Sequence, residues 1–471
     1  MASSSTLIDL PMELLQRVLT HCHPRDVAGF SQTCREAYNL IYLTTDQYLW
    51  RQLYLAYPFD HPEIVASQRL DAGMPSKVKP VSGDEVDGLN YRNRLTDLVN
   101  AERAASKGPR TVEEEKDTLL IFQRVLTQLP ITSRTEDGEV QPSLNADWLE
   151  RTLDEESALL TSEPDPSLST PKPEAFSEVE GIRARLRCCL LSSFKQSGAS
   201  PDLALSKEDY SFFVAKRNRS RCFVYDLRNY TARTHWGPFT PDNHVNWVHV
   251  EYLMNVVWMN LCDPPITSMP RPRIGTEAFR PHSSGGDYSQ EDWAGVEGVW
   301  SRYVCFMDYR DLFSFNVPYA EDDGPLDEGF FAESTFREAT RLLEVKLKIV
   351  DRSILNGIGF VLHRKYSANP HRPPLYFKGT SRGSDGAAAS IIKGCVYEEE
   401  DGSIRWRFVR ESIYDNSPQW SSSGVQIGDV GSAVGVIGVW TTTSHDQSDP
   451  VGPFWLFKNQ DGAPTQVMDF N

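Results

Sequence analysis

The chain has 471 residues and a hydrophobic fraction of 40%, enough for about two to four domains with ordinary cores, which excludes a wholly disordered protein. Its formal net charge is -17. Phosphate binding needs clustered Lys and Arg, and anionic membranes repel such a chain, so neither nucleic acid nor a membrane is expected as a partner.

The N-terminus has no basic opening segment and no long apolar run, so it does not read as a secretory signal. No window approaches the roughly 20 apolar residues of a membrane span. The richest, VNWVHVEYLMNVVWMNL, carries His249, Glu251 and three asparagines and reads as part of a long buried helix from Asn243 to Leu261. The eight cysteines are scattered without a CxxC pair. Reduced thiols in the cytoplasm or nucleus fit better than a disulfide framework.

In chain order, the first 58 residues read as a compact helical module. Leu10, Leu14, Leu15, Val18 and Leu19 recur at helical spacing, with Met12 on another side. An amphipathic helix needs one apolar stripe, so this surplus is either wholly buried or belongs to a partner. Pro11 with Glu13, and Pro24 with Asp26, suit the first turns of two successive helices. A third segment runs from Cys34 to Ile41. Thr44 and Gln47 then have capping-box spacing before a helix that places Leu49, Trp50, Leu53, Tyr54 and Tyr57 on one side and stops at Pro58.

Residues 59–175 read as a helical and loop linker region. Its stretch from about 60 to 110 is loop-rich. Helices follow from about Val112 to Leu129 and Asn145 to Leu160, and the breaker-rich SEPDPSLSTPKPE reads as a loop or linker. Residues 176–290 read as a helix-rich middle region packed on the C-terminal domain. It opens with a helix from Ser177 to Phe194, and KRNRSRCFVYDLRNY within it reads as a strand.

From 291 to 471 strand patterns dominate: GVWSRYVCFMDYRDLFSFN, LEVKLKIVD, PLYFKGTS, SIIKGCVYEEEDGSIRWRFV, SAVGVIGVWTTT and VGPFWLFK. Leu343, Val345, Leu347 and Ile349 alternate onto one face. Asp401-Gly402 marks a hairpin turn, after which Ile404, Trp406 and Phe408 share one face and Arg405, Arg407 and Val409 the other. Six or seven strands with short turns suggest a meander that closes on itself and so removes its edges. Gly298, Gly394 and Gly438 each precede a bulky strand residue, a faint repeat that lets strands bend around aromatics.

The ordered positions Leu10-Pro11-x-Glu13-Leu14-Leu15, Val18-Leu19, Pro24-x-Asp26-Val27, Phe30, Thr33-Cys34-Arg35 and Leu49-Trp50 resemble an F-box. One departure is Ala37, where the family carries a large aromatic; Tyr38 is expected to take over. The resemblance implies a trihelical module that docks on a Skp-type adaptor and, through it, on a cullin scaffold. It implies that Leu10, Pro11, Glu13, Leu14, Leu15, Val18, Leu19, Val27 and Phe30 bind the adaptor. Each buried Leu or Val contributes ~1.5–3 kcal/mol, before several kcal/mol of association entropy are subtracted. The same apolar residues also fit an ordinary helical core; Trp50 and Cys34 are expected in that core. The C-terminal region is also similar, more loosely, to the long C-terminal regions of fungal F-box proteins and to the β-barrel of certain F-box-only substrate receptors.

Other motifs point elsewhere less well. His21, Cys22, His23 and Cys34 lack metal spacing. GDVGSAVGVIG lacks the P-loop ending, and SSSGVQIG lacks a nucleophile elbow. His445 with Asp446 and Asp449 reads as a polar turn, and Glu398 to Asp401 as a solvated acidic hairpin tip. No catalytic residue, metal or cofactor is expected. In the aromatic-rich C-terminal region, Arg405 and Arg407 are expected to meet a carboxylate-bearing target, with Trp420 and Trp440 lining the cleft.

The expected fold is α+β: an N-terminal trihelical F-box, a helical middle region and a C-terminal antiparallel, barrel-like β-domain. The expected function is the substrate-recognition subunit of an SCF-type cullin ubiquitin ligase, with an unknown protein substrate and no catalysis of its own. Two alternatives stand beside it. One is a small-ligand-binding barrel whose F-box controls only turnover or location. The other is a Skp-bound adaptor outside ubiquitin ligation.

Overall fold

The computed structural model describes residues 10–44, 47–74, 90–134, 137–153, 157–161, 177–190, 207–262, 270–286, 288–316, 326–355, 369–383, 389–412, 414, 417–446, 448–459 and 469–470. The SEPDPSLSTPKPE segment lies outside them. The chain divides into two compact units, Met1–Thr161 and Ser162–Asn471.

The first unit is helical. Helices α1 (Met12–Leu19), α2 (Pro24–Ser31), α3 (Arg35–Tyr42) and α4 (Tyr48–Ala56) open it. Pro24 occupies the first turn of α2, and the His23 ring nitrogen caps that helix by accepting from the Arg25 N–H at 3.2 Å. Cys34 is half-buried and caps α3, its sulfur accepting from the Ala37 N–H at 3.3 Å. Trp50 is core, as expected, and donates to the Ile41 carbonyl at 3.0 Å. The expected capping box at Thr44 does not form. Gln47 caps α4 without a side-chain bond to it, because its Oε1 accepts from the Tyr91 N–H at 2.7 Å.

Beyond the opening helices the unit continues through α5 (Pro62–Asp71), α6 (Tyr91–Lys107), α7 (Val112–Leu126), α8 (Leu144–Thr152) and α9 (Ala158–Thr161). Helix α6 corrects the loop-rich reading of 60 to 110. Tyr91, Leu95, Leu98, Val99 and Ala105 are buried at helical spacing along it. The expected helix from Asn145 to Leu160 is two pieces, since α8 ends at Thr152. One aromatic core joins the opening helices to the later ones. Tyr54 lies 5.6 Å from Tyr91, and Phe59 and Phe122 pack on Trp148 at 5.5 and 5.3 Å. Asp60 accepts from the N–H groups of Leu144 and Asn145 at 3.1 Å each, stabilising the positive start of α8. The helices before Pro58 therefore share a core with those that follow.

The second unit is an eight-stranded antiparallel barrel with helices on its outer face. Strands β1 (Gly298–Met307), β2 (Glu338–Val350), β3 (Leu375–Arg382), β4 (Ser390–Glu398), β5 (Ile404–Glu411), β6 (Pro418–Ile427), β7 (Gly435–Thr442) and β8 (Gly452–Lys458) pair in sequence. β1 closes the circle by pairing with both β2 and β8. A short β9 (Asp469–Phe470) adds to β2 at Thr340 and Arg341. The expected alternation holds: Leu343, Val345 and Leu347 face inward with Trp300, Trp406 and Phe408. The narrow interior is filled by rings, with Trp406 5.2 Å from Trp300 and 5.7 Å from Phe377. Gly394 lies against Phe377, and Gly424 and Gly438 lie against Phe454.

Helices α10 (Glu178–Leu190), α11 (Lys207–Val224) and α12 (Trp247–Cys262) pack together, and α12 lies on the outer face of β1, β7 and β8. α12 is buried on nearly every side, as its apolar sequence implies, and Trp258 packs on Trp455 at 6.1 Å. Two expectations fail here. KRNRSRCFVYDLRNY is not a strand, because its first half completes α11. The segment after Met307 turns into helix α14 (Tyr309–Asn316), following a helical turn α13 (Thr276–Phe279) earlier in the chain. Asp308 starts α14, its carboxylate accepting from the Arg310 N–H at 2.9 Å. No helix among the described residues is long and apolar enough to cross a membrane.

Candidate functional site

The opening helix presents two faces. Leu15 and Leu19, four residues apart, are 4% exposed and build the module's core with Val27, Leu49 and Leu53. Leu14 and Val18, on another side, are 51% and 45% exposed, and Leu10 and Met12 at its start are 40% and 54% exposed. Pro11 and Glu13 are exposed among them, and Phe30 is half-buried. Exposed apolar side chains gathered on one short helix mark an interaction surface. Residues 7–56 match the family model described as F-box-like. The chain carries an F-box.

No curated protein and no solved structure matches the chain. Within the F-box, the nine residues expected at the adaptor separate by burial. Leu10, Pro11, Glu13, Leu14 and Val18 are open to solvent, and Phe30 is partly so. Leu15, Leu19 and Val27 offer no surface, since closing the module's own core consumes them. Met12, not among the nine, belongs with the exposed group. Tyr38 does not replace the missing aromatic of the third helix. It is 48% exposed and packs at a tilt on Tyr42 at 5.1 Å, while Ala37 fills the core position.

In the barrel unit, Arg405 corrects its expected role. It is 1% exposed, lies 4.0 Å over the Phe239 ring and donates to the Asn243 carbonyl at 2.8 Å. Asp401 faces it at 3.5 Å. Burial lowers its proton affinity, and the Asp401 charge acts against that. The segment carrying Phe239 and Asn243 covers the outer face of β5 at this point, so Arg405 presents nothing to a target. Arg407 is half-buried on the same outer face. Trp420 and Trp440 face the barrel interior instead, so the structure does not bring them together with the two arginines. They meet edge to face at 5.3 Å, both half-buried.

The hairpin tip is also less open than its acidic run suggests. Glu398 and Glu399 are each 5% exposed. Glu398 faces Arg372 at 3.5 Å, and Glu399 accepts from the Asn243 amide at 2.9 Å. His445 stacks on Trp236 at 4.1 Å, within a turn where Asp449 accepts from the Asp446 N–H at 2.7 Å.

The barrel ends differ. At one end the inward residues Leu347, Glu398, Ile404, Gln426, Val436 and Leu456 are buried. At the other, Val304, Phe306, Leu343, Arg410, Trp420 and Trp440 are half-exposed, so this end opens to solvent. Below that rim lies Arg302, a residue the sequence reading passed over. The signal was present: Arg302 alternates with Trp300, which marks it as inward-facing. Burial and the Arg410 charge push its pKa down to about 9.

Proposed function

We propose that this protein is the substrate-recognition subunit of an SCF-type cullin ubiquitin ligase, without catalysis of its own. The F-box binds a Skp-type adaptor and through it a cullin scaffold, and the β-barrel unit holds a target protein. The observation that carries this reading is the exposure of Leu10, Met12, Leu14 and Val18 on a family-matched module whose Leu15, Leu19, Leu49 and Leu53 are already buried. Apolar helix residues entering a partner's groove are a recurrent mode of recognition. The mechanism is proximity: a target held on the scaffold meets the charged conjugating enzyme at high effective concentration. Such a complex works in the cytoplasm or nucleus.

Co-purification of a Skp-type adaptor with the full chain tests the first step. Leu14→Asp with Val18→Asp is expected to abolish capture while leaving the helical circular dichroism unchanged. Capture that survives both substitutions rules the surface out. Target binding is tested by proximity labelling with and without proteasome inhibition, where targets accumulate only under inhibition.

A further inference from the structure

The barrel encloses a charge that it does not neutralise. Arg302 is 4% exposed, with its guanidinium 4.9 Å from the Phe408 ring centre and 4.7 Å from that of Phe454. Its Nη2 donates to Ser422 Oγ at 2.8 Å. Its Nε has no acceptor, and no carboxylate of the described residues reaches it. Four other arginines of the unit are paired with carboxylates. Arg187 meets Glu251, Arg221 meets Glu338, Arg280 meets Glu277 and Arg372 meets Glu398. Enclosing an uncompensated guanidinium is strongly unfavourable. A second cation, Arg410, faces inward from β5 near enough to act on Arg302. An anion beside Arg302 would offset its desolvation.

The surroundings define what kind of anion fits. A guanidinium is a planar fork that matches a carboxylate through two parallel N–H donors. The Ser422 hydroxyl stands beside it. Toward the open rim, Trp420 and Trp440 supply flat apolar faces, and Val304 and Leu343 are half-exposed on the same inward side. A few polar groups at the base of an apolar recess is the usual make-up of a small-molecule site, and barrel mouths are a recurrent place for one.

We propose that the open end of the barrel binds a small organic carboxylate, its charged group on Arg302 and its flat apolar body against Trp420 and Trp440. This does not rest on the target-binding role of the unit, and its test is read without adaptor or target.

Calorimetric titration of the full chain with 2-naphthoate, 2-naphthamide and inorganic phosphate tests it. Naphthoate is expected to bind at least tenfold more tightly than the neutral amide, because only the carboxylate answers the buried charge. Arg302→Met is expected to remove that preference while leaving the melting temperature equal or higher, since it also removes an unpaired buried cation. Arg302→Lys keeps the charge but loses the fork, and is expected to weaken naphthoate about tenfold. It serves as the second variant should the methionine form fail to fold. Trp420→Ala is expected to weaken naphthoate and naphthamide by the same factor. Equal affinity for acid and amide, no binding of either at millimolar concentration, or unchanged naphthoate affinity in both Arg302 variants overturns the site. Phosphate binding as tight as naphthoate overturns the carboxylate assignment.

Discussion

Arg221 of α11 donates twice to one oxygen of Glu338, the first residue of β2, with Nη2 at 2.6 Å and Nε at 2.9 Å from Oε2. The pair is buried, with 9% and 2% of the two side chains exposed. Asn260 of α12 donates to the same oxygen at 2.8 Å, and the Tyr225 hydroxyl donates to the other. One carboxylate thus ties two helices to the barrel wall. Burial, and then the Glu338 charge, hold the Tyr225 phenol's pKa well above its ordinary value, which keeps it a donor.

Breaking this pair from one side leaves a buried carboxylate without its cation. Arg221→Met is expected to cost about 3–5 kcal/mol. Glu338→Gln is expected to cost about 1–3 kcal/mol, since the amide still accepts hydrogen bonds. Urea unfolding of both and of the double variant measures their coupling. Strictly additive losses would show that the two residues act independently.

The two faces of α1 predict opposite phenotypes from neighbouring leucines. Leu15→Ala empties a core position and is expected to lower stability by about 2–5 kcal/mol. Leu14→Asp is expected to leave stability within about 0.5 kcal/mol, as for ordinary surface changes, while reducing adaptor binding at least tenfold. Thermal unfolding and adaptor capture on the same preparations separate the two.

Gly438 sits where two barrel strands and a ring converge. A Cβ there would stand 2.3 Å from the Ser423 carbonyl oxygen and 2.7 Å from Phe454 Cε1. The first neighbour is backbone and cannot step aside. Gly438→Ala is therefore expected to destabilise by at least about 1–3 kcal/mol, the scale of overpacking. Gly402, at the hairpin turn with φ 77°, has open space around it. Gly402→Asn is expected to be tolerated, because Asn accepts the left-handed conformation. Comparing their unfolding midpoints checks both.

Burial lowers the pKa of His249 to about 3 and that of His282 to about 4. In each, the unfolded chain binds the proton more readily than the folded one. Their contribution is fully present above the unfolded value near 6.5 and is lost as pH falls from there toward 4. Each protonation resisted corresponds to about 1.4 kcal/mol per pH unit. His249→Phe, which keeps a ring against Phe223, is expected to flatten the stability profile between pH 6 and about 4. A slope unchanged by the substitution would place the acid sensitivity elsewhere.

Much of the architecture was legible in single residues. Strict alternation in LEVKLKIVD and IRWRF marked barrel strands and assigned Trp406 and Phe408 to one face. The all-apolar α12 marked itself as buried. Helix α6 was legible in principle, since Tyr91, Leu95, Leu98 and Ala105 recur at helical spacing, but the Pro and Gly that precede it dominated the reading. Helix α11 was not legible. Its buried face carries Arg217 and Arg221, and burying Arg221 is favourable only because Glu338 waits 117 residues away.

The order of Leu, Pro, Glu and Trp residues in the opening segment determined by itself its short helices and the resemblance to an F-box, because local periodicity and helix starts depend on near neighbours. Which of those leucines stay uncovered was decided only in three dimensions, where α4 closes over Leu15 and Leu19 and leaves Leu14 and Val18 outside. The same holds in the barrel. Alternation sorts Arg302 inward and Arg405 outward, yet Phe239 covers the outer one and the inner one lies beneath an open rim. A charge's environment depends on chain segments distant in sequence, so no local pattern can reveal it.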